Sequence, residues 1–227
     1  MHNSSIRLAK KQPKQRMSRK GRAPANKGQR FPAELLTREE VQRLIGGCSR
    51  RAPTGRRNAA LLAVMYRSGL RVSEALDLRP KDICPNTQTV RVLCGKGSRA
   101  RTVGIDAGGL ALLDAWLEVR KERKISRSAP LFCTLGGGPV SATYVRQMIK
   151  RMALRAGIEK RVHPHQLRHV FACELVGESV PLPHIQRLLG HSSLATTSTY
   201  LAGLRPQEAI DAIIARPSWT PDGQPDS

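Results

Sequence analysis

The chain has 227 residues, enough for one domain with a substantial core or for two small ones. Its 39 Lys and Arg outnumber 17 Asp and Glu, so the net charge is +22. Such an excess favours a polyanionic partner such as nucleic acid, although a ribosomal protein or a membrane-surface binder would have a similar composition. No apolar run approaches the roughly 18 residues of a membrane span, and the N-terminus lacks the apolar stretch of a secretory signal.

The cysteine pattern argues against both a disulfide framework and a metal site. The five cysteines are Cys48, Cys84, Cys94, Cys133 and Cys173. Their odd number and the lack of a CxxC pair predict reduced thiols in a cytoplasmic protein. His163 and His165 with Cys173 are of the residue types that bind zinc, but no cysteine pair completes such a site, so we predict no metal and no cofactor.

Residues 1–30 are predicted to be a disordered basic arm. They contain ten Lys or Arg, and no acidic residue occurs before Glu34. Apolar residues there are too sparse to offset the entropy of ordering, so the segment either lies along phosphates or is a solvated tail. Without the arm the rest of the chain still carries +12.

The folded domain is predicted to begin near Phe31. Thr37 and Glu40 have the spacing of a capping box, which predicts a helix to about Ile45. An apolar stripe predicts a second helix from Arg56 to Arg67, closed by Gly69.

Arg71 stands at the start of a short third helix, with Glu74 one turn later. The pair alone is typical of a weak surface ion pair between residues three apart. Four apolar neighbours suggest instead that it is partly enclosed: Leu70, Val72, Ala75 and Leu76. A guanidinium is rarely enclosed without a function.

A β-hairpin is predicted next. Thr89–Cys94 alternates like a strand, Gly95-Lys96-Gly97 is a tight turn, and Arg101–Ile105 is the returning strand. The hairpin would hold Lys96 at its tip, where glycines allow close approach to another surface. The alternative is a turn lysine that only adds solubility.

Three further helices follow. Asp106 caps one that continues to near Lys124, and Ser141 caps another that stops at Gly157. Pro164 suits the first turn of the third, which carries His165 and Arg168.

The last part of the chain is predicted to contain short helices. Pro181 and Pro183 precede a helix from Ile185 to Leu189, which Gly190 stops. Another, 196–201, carries Tyr200. The last, 207–215, has one apolar face that must dock on its own core or on another subunit.

Six side chains are candidates for chemistry on one phosphate. Two arginines suit the non-bridging oxygens, a lysine or histidine suits the leaving oxygen, and a tyrosine beside cations can act as nucleophile. The candidates are Arg71, Lys96, His165, Arg168, His191 and Tyr200. Singly each signal is weak, since a lone His or Tyr is usually a packing residue.

Together the motifs resemble the tyrosine recombinase (phage integrase) family over most of residues 31–216. The matching pieces are Gly69-Leu-Arg-Val-Ser-Glu74, Gly95-Lys-Gly97, His165-x-x-Arg168, Leu189-Gly-His191 and Tyr200. The resemblance implies a mainly α fold with a small antiparallel sheet, the DNA breaking-rejoining catalytic domain. It also implies Glu74 as a structural acid, Lys96 as general acid and Tyr200 as nucleophile. His163 and His169 flank the second motif and are not expected to be catalytic.

The implied activity is site-specific recombination of DNA through a 3′-phosphotyrosyl intermediate, typical of a mobile genetic element. The implied partners are double-stranded DNA and three further copies in a tetramer on DNA, with a monomer otherwise. Two alternatives are a type IB topoisomerase-like enzyme and a DNA-binding module that does not cut. Arg146, Arg151 and Arg155 either line the DNA or form a solvated basic face.

The predicted domains are the arm 1–30, a catalytic domain 31–216 and a flexible tail 217–227. The family usually has a separate N-terminal helical domain that closes over the other side of the DNA. Residues 1–30 are too short and too polar to form it, so tight site recognition by this chain alone is not expected.

Overall fold

The computed structural model describes residues 34–93 and 100–190, and within them it confirms a mainly α fold with a small antiparallel sheet. The helices are α1 (Arg38–Gly46), α2 (Pro53–Arg67), α3 (Val72–Asp77), α4 (Ala107–Glu122), α5 (Ala142–Arg155), α6 (Pro164–Gly177) and α7 (Leu182–Leu189). The strands are β1 (Ile83–Cys84), β2 (Thr89–Val92) and β3 (Arg101–Gly104), and a 3-10 helix, Pro80–Asp82, precedes β1.

The predicted helix caps are present. The Glu40 amide donates to Thr37 Oγ1 at 3.2 Å, and the Thr37 amide donates to the Glu40 carboxylate at 2.8 Å. Asp106 accepts from the amide of Gly109 at 2.9 Å, and Ser141 caps α5 in the same way. These short-range pairs fix where α1, α4 and α5 begin.

Helix α2 is the centre of the core and begins three residues before the predicted start. Pro53 occupies its first turn, where a missing N–H has no cost. Gly55 faces the Ser49 carbonyl so closely that a Cβ would lie 2.1 Å from its oxygen. Residues 59–66 are all buried because α1, α3, α4 and α6 cover the helix on several sides.

The sheet confirms the two predicted strands of the hairpin. β2 pairs antiparallel with β3, with Val90 opposite Val103 and Val92 opposite Arg101. β1 adds a third strand that the sequence did not predict, because two residues are too few to show alternation. The predicted turn with Lys96, the helices 196–201 and 207–215 and the arm lie outside the described residues.

Helix α6 begins at Pro164 as predicted, whereas α7 begins at Leu182 rather than Ile185. Pro181 is the N-cap of α7 and Pro183 lies in its first turn, where neither proline interrupts a hydrogen bond. Across ranges 34–93 and 100–190 no helix is both long and apolar enough to cross a bilayer.

Gly69 joins the end of α2 to α3 and has a left-handed backbone, with φ of +62°. A Cβ built on Gly69 would lie 2.4 Å from Cδ1 of Phe171 in α6 and 3.2 Å from Leu189 in α7. The turn that presents Arg71 is therefore packed directly against the two helices that carry the later motifs.

We predict that Gly69→Ala destabilises the protein by about 3 kcal/mol, from the left-handed backbone and overpacking against Phe171. This corresponds to a loss of roughly 6–12 °C in Tm. Gly177→Ala at the end of α6 is the control, because a Cβ there meets nothing within 4 Å. Thermal unfolding measures the Tm of both variants. A Tm of Gly69→Ala equal to that of the wild type would contradict the packing argument.

Candidate functional site

Arg71 lies at the N-terminus of α3 and points partly into solvent. Its amide donates to Glu74 Oε2 at 2.8 Å, and its guanidinium Nη1 donates to Oε1 of the same carboxylate at 2.8 Å. The side chain of Glu74 is only 10% exposed, while that of Arg71 is 40% exposed. The carboxylate of this pair is thus enclosed while the guanidinium is open to solvent, unlike an ordinary surface ion pair in which both groups are exposed.

Glu74 is shared by three arginines from three parts of the chain. Besides Arg71, it accepts two hydrogen bonds from Arg101 in β3, at 3.0 and 2.9 Å, and lies 3.7 Å from Nη1 of Arg168 in α6. Burial alone would raise the pKa of Glu74, but hydrogen bonds from Arg101 and the Arg71 amide lower it below its ordinary 4.5. A charged carboxylate against three guanidinium groups leaves a local excess of positive charge.

Arg168 has no exposed side-chain surface and binds backbone carbonyls. Nη1 donates to Gly69 O at 2.7 Å, and Nη2 makes a short hydrogen bond to Leu189 O. The side chain therefore connects the turn before Arg71 to the end of α7. Of the three guanidinium groups at Glu74, that of Arg71 is the most exposed, at 40%, while Arg168 contributes its charge from a fully enclosed position.

His165 lies on the first turn of α6, three residues before Arg168, and is exposed. Its pKa is lowered below 6.5 by partial desolvation and then by the positive charges of Arg168, His163 and Arg71. Burial also lowers the pKa of His163 and of His169. The ring of His165 is therefore neutral near pH 7 and can accept a proton or donate a hydrogen bond.

The structure brings together three of the six candidates, namely Arg71, His165 and Arg168. Lys96, His191 and Tyr200 lie outside the described residues. The ends of their segments are described, however. Arg101 opens β3 after the 94–99 segment, and Nε of Arg101 donates to Leu188 O at 2.7 Å, two residues before Gly190. Arg101, which follows the 94–99 segment in the chain, and the end of α7, which precedes His191, therefore meet beside Glu74.

The sequence pattern predicts only that Arg101 lies in a strand and does not indicate its contact with Glu74. A signal was present: alternation along Arg101–Ile105 puts Arg101 on the same face as Val103 and Ile105, which are both buried. A charged residue on the inward face of a strand requires a partner. The partner itself is distant in sequence and could not be read from local pattern.

The remaining candidates are less distinctive. Arg146, Arg151 and Arg155 lie on the exposed face of α5, opposite its buried residues, so both predicted roles remain compatible with their position. Within ranges 34–93 and 100–190, no group of His, Cys, Asp and Glu is arranged to hold a metal ion. The chemistry the described cluster offers is cationic contact with anionic oxygen beside a neutral imidazole.

Comparison with known proteins places these residues in a family. The sequence matches the Phage integrase family over residues 34–205. It is 41% identical over 179 residues to tyrosine recombinase XerC of Xanthomonas axonopodis pv. citri (strain 306), covering 79% of this chain. The crystal structure of XerA recombinase matches with a TM-score of 0.72 at 28% identity, covering 87% of this chain and 70% of that one.

A further solved structure is that of the XerH site-specific recombinase bound to difH substrate, a pre-cleavage complex. It matches with a TM-score of 0.65 at 30% identity, covering 78% of this chain and 52% of that one. The chain spans about half the length of the curated relatives it matches, 56% of the XerC named above and 53% of that of Xanthomonas campestris pv. campestris (strain B100). All six candidate residues fall within the family match. The chain therefore belongs to the phage integrase family, the tyrosine recombinases.

Proposed function

We propose that the chain is a site-specific DNA recombinase that cuts and rejoins strands through a covalent 3′-phosphotyrosyl intermediate. The observation that carries this is the cluster around Glu74, which joins partly exposed Arg71 to buried Arg168, with His165 three residues before Arg168 on α6. Support comes from XerC, and from XerH, which binds difH substrate in a pre-cleavage complex.

The reaction that suits these residues is an in-line displacement at phosphorus. The Tyr200 oxygen attacks, its phenol proton passes to neutral His165, and the bond to the 5′ oxygen breaks with its electron pair on that oxygen. Lys96 supplies the proton that the 5′ oxygen needs, and Arg71, Arg168 and His191 stabilise the charge on the non-bridging oxygens. Attack of a 5′ hydroxyl on the phosphotyrosine reverses these steps, so no ATP is required.

The covalent step tests the proposal directly. We predict that Tyr200→Phe binds DNA like the wild type but forms no covalent adduct with a nicked suicide duplex, because only the phenol oxygen is lost. Denaturing electrophoresis of labelled duplex measures the adduct. An adduct in the variant would refute the assignment of Tyr200. No adduct from the wild type would favour a non-cutting module, and relaxation of supercoils without strand exchange would favour a topoisomerase-like activity.

Arg71 is predicted to contact the scissile phosphate. Arg71→Lys keeps the positive charge but loses the planar guanidinium, which can donate two parallel hydrogen bonds to a phosphate. The single-turnover cleavage rate should therefore fall roughly 100-fold or more. DNA affinity should change little, because many other cations share that contribution.

Arg91→Lys is the matched control, because Arg91 is also an exposed arginine paired with a buried carboxylate, that of Asp82, at 3.1 Å. It should cleave like the wild type. Equal rates for Arg71→Lys and Arg91→Lys would show that the Arg71 fork has no role at the phosphate. Arg168→Lys should cleave as poorly as Arg71→Lys if Arg168 supplies charge to the same phosphate.

We further propose that the partner is double-stranded DNA, bound by a homo-tetramer that assembles on it from monomers in the cytoplasm. The basic residues of 1–30 would add affinity that is independent of sequence. The apolar face predicted in 207–215 would dock on a neighbouring subunit and close the ring.

A chain ending at Leu204 is predicted to bind DNA as a monomer but to lose the tetrameric complex. Analytical ultracentrifugation with and without a duplex carrying the site measures both states. The full-length chain is the control, and thermal unfolding of the truncated chain shows whether 207–215 stabilises its own core. A tetramer on DNA from the truncated chain, or a large loss of its stability without DNA, would contradict docking on a neighbour.

A further inference from the structure

Two arginines meet the C-terminus of α7, where the last carbonyls of a helix lack partners within the helix. Nε of Arg101 donates to Leu188 O at 2.7 Å, and Nη2 of Arg168 donates to Leu189 O. Both cations lie at the negative end of the α7 dipole, which favours them electrostatically. The end of α7 is therefore fixed from β3 and from α6 at once.

Arg101 also hydrogen-bonds to Glu74, and these contacts are closer than the 3.7 Å separation between Glu74 and Arg168. The two Nη atoms of Arg101 donate to the two carboxylate oxygens at 3.0 and 2.9 Å, and its side chain is only 7% exposed. One planar guanidinium thus binds a helix terminus with Nε and a carboxylate with both Nη atoms. A lysine could not make these three contacts together, because its single ammonium is a point charge.

Gly190 gives an independent indication that this junction is tightly built. Its φ is +63°, and a Cβ on it would lie 3.1 Å from Nη1 of Arg101 and 3.4 Å from Cδ of the same side chain. Glycine is thus favoured at this position both by the left-handed backbone and by the guanidinium against its Cα. The Arg101 side chain packs on the point where the chain leaves α7 for His191.

We propose that Arg101 is a positioning residue for the reaction: it holds the Glu74 carboxylate against Arg71 and fixes the α7 terminus that leads to His191. Because Arg101 opens β3, the strand that follows Lys96 in the chain, the same contacts tie that strand to the Arg71 motif and to the end of α7. This inference rests on the proposed recombinase function, since the groups it would align are those assigned to strand cleavage.

The test compares Arg101→Lys with Arg91→Lys, a strand arginine paired with Asp82 away from Glu74. With a nicked suicide duplex, Arg101→Lys is expected to lower the single-turnover rate at saturating DNA by roughly 10–100-fold, because small misplacements cost that much. Its Kd for DNA should stay close to that of Arg91→Lys, and both rates are measured at a temperature where both variants are folded, because the lost contacts with Glu74 and Leu188 lower its Tm. A rate equal to that of Arg91→Lys, or a loss explained wholly by weaker binding, would overturn the proposal.

Hydrogen exchange measured by mass spectrometry gives a readout that does not depend on activity. Arg101→Lys should speed exchange in peptides that cover 71–77 and 185–190, and Arg91→Lys should not. Unchanged exchange there would overturn the positioning role even if the rate fell. If the wild type forms no adduct, the recombinase proposal fails and the catalytic part of this inference fails with it, while faster local exchange would still establish the contact.

Gly190→Ala is a second variant for testing the positioning role of Arg101 if Arg101→Lys does not fold. It keeps every charge but forces the guanidinium to shift by a few tenths of an ångström. A smaller rate loss in the same direction, with a slight change in Kd, would support the proposal. A wild-type rate would overturn it.

Discussion

A single carboxylate, that of Glu74, with only 10% of its side chain exposed, organises the site. Three guanidinium groups from α3, β3 and α6 repel one another, and Glu74 is the acid that all three reach. Burying a charge is unfavourable unless it is paired, so the nearly enclosed Glu74 carboxylate depends on these arginines. The Glu74 carboxylate therefore helps to specify the fold as well as to stabilise it. Arg71, Arg101 and Arg168 can all contact Glu74 only when α3, β3 and α6 lie in one arrangement. The position of Arg71 at the surface is a consequence of that arrangement.

Helix α6 is fixed a second time, towards its C-terminus, by another carboxylate. Glu174 accepts hydrogen bonds from Tyr66 and Arg67 of α2 and from Arg38 of α1. Burial and the Glu174 charge raise the pKa of Tyr66 to about 12, so its hydroxyl stays a donor. Held at both ends, α6 presents His165 and Arg168 without needing an anion to order them. Such preorganisation is what makes charge stabilisation effective, since the groups need not reorient when the reaction occurs.

Much of this fold can be predicted from the sequence, because its signals are local. Thr37 with Glu40, the Asp106 cap and Pro164 each act within one turn, and each predicted start agrees with the structure. The predicted starts of α2 and α7 were late by three residues each: the apolar stripe of α2 does not extend over its first turn, and at α7 Pro181 and Pro183 are tolerated at the helix start. The Glu74 cluster could be predicted only in part. Its Arg71 contact is local, but Arg101 lies 27 residues away, and only the folded chain shows which carboxylate it meets. Lys96, His191 and Tyr200 stay predictions from the family resemblance.

The net charge of +22 does not lie entirely on the surface. Four described arginines are almost fully enclosed: Arg57, Arg101, Arg120 and Arg168. Each donates to backbone carbonyls of irregular or terminal segments, as Arg57 does to Cys133 O and Arg120 does to Pro130 O and Leu131 O. An arginine has five donors, so it satisfies carbonyls that no helix or strand can pair. It also places a charge where water screens it poorly. At Arg57 and Arg120 that charge stabilises a loop, whereas at Arg168 it lies beneath an exposed guanidinium. The same structural solution thus places an enclosed charge next to the more exposed guanidinium of Arg71, because both arginines lie against Glu74.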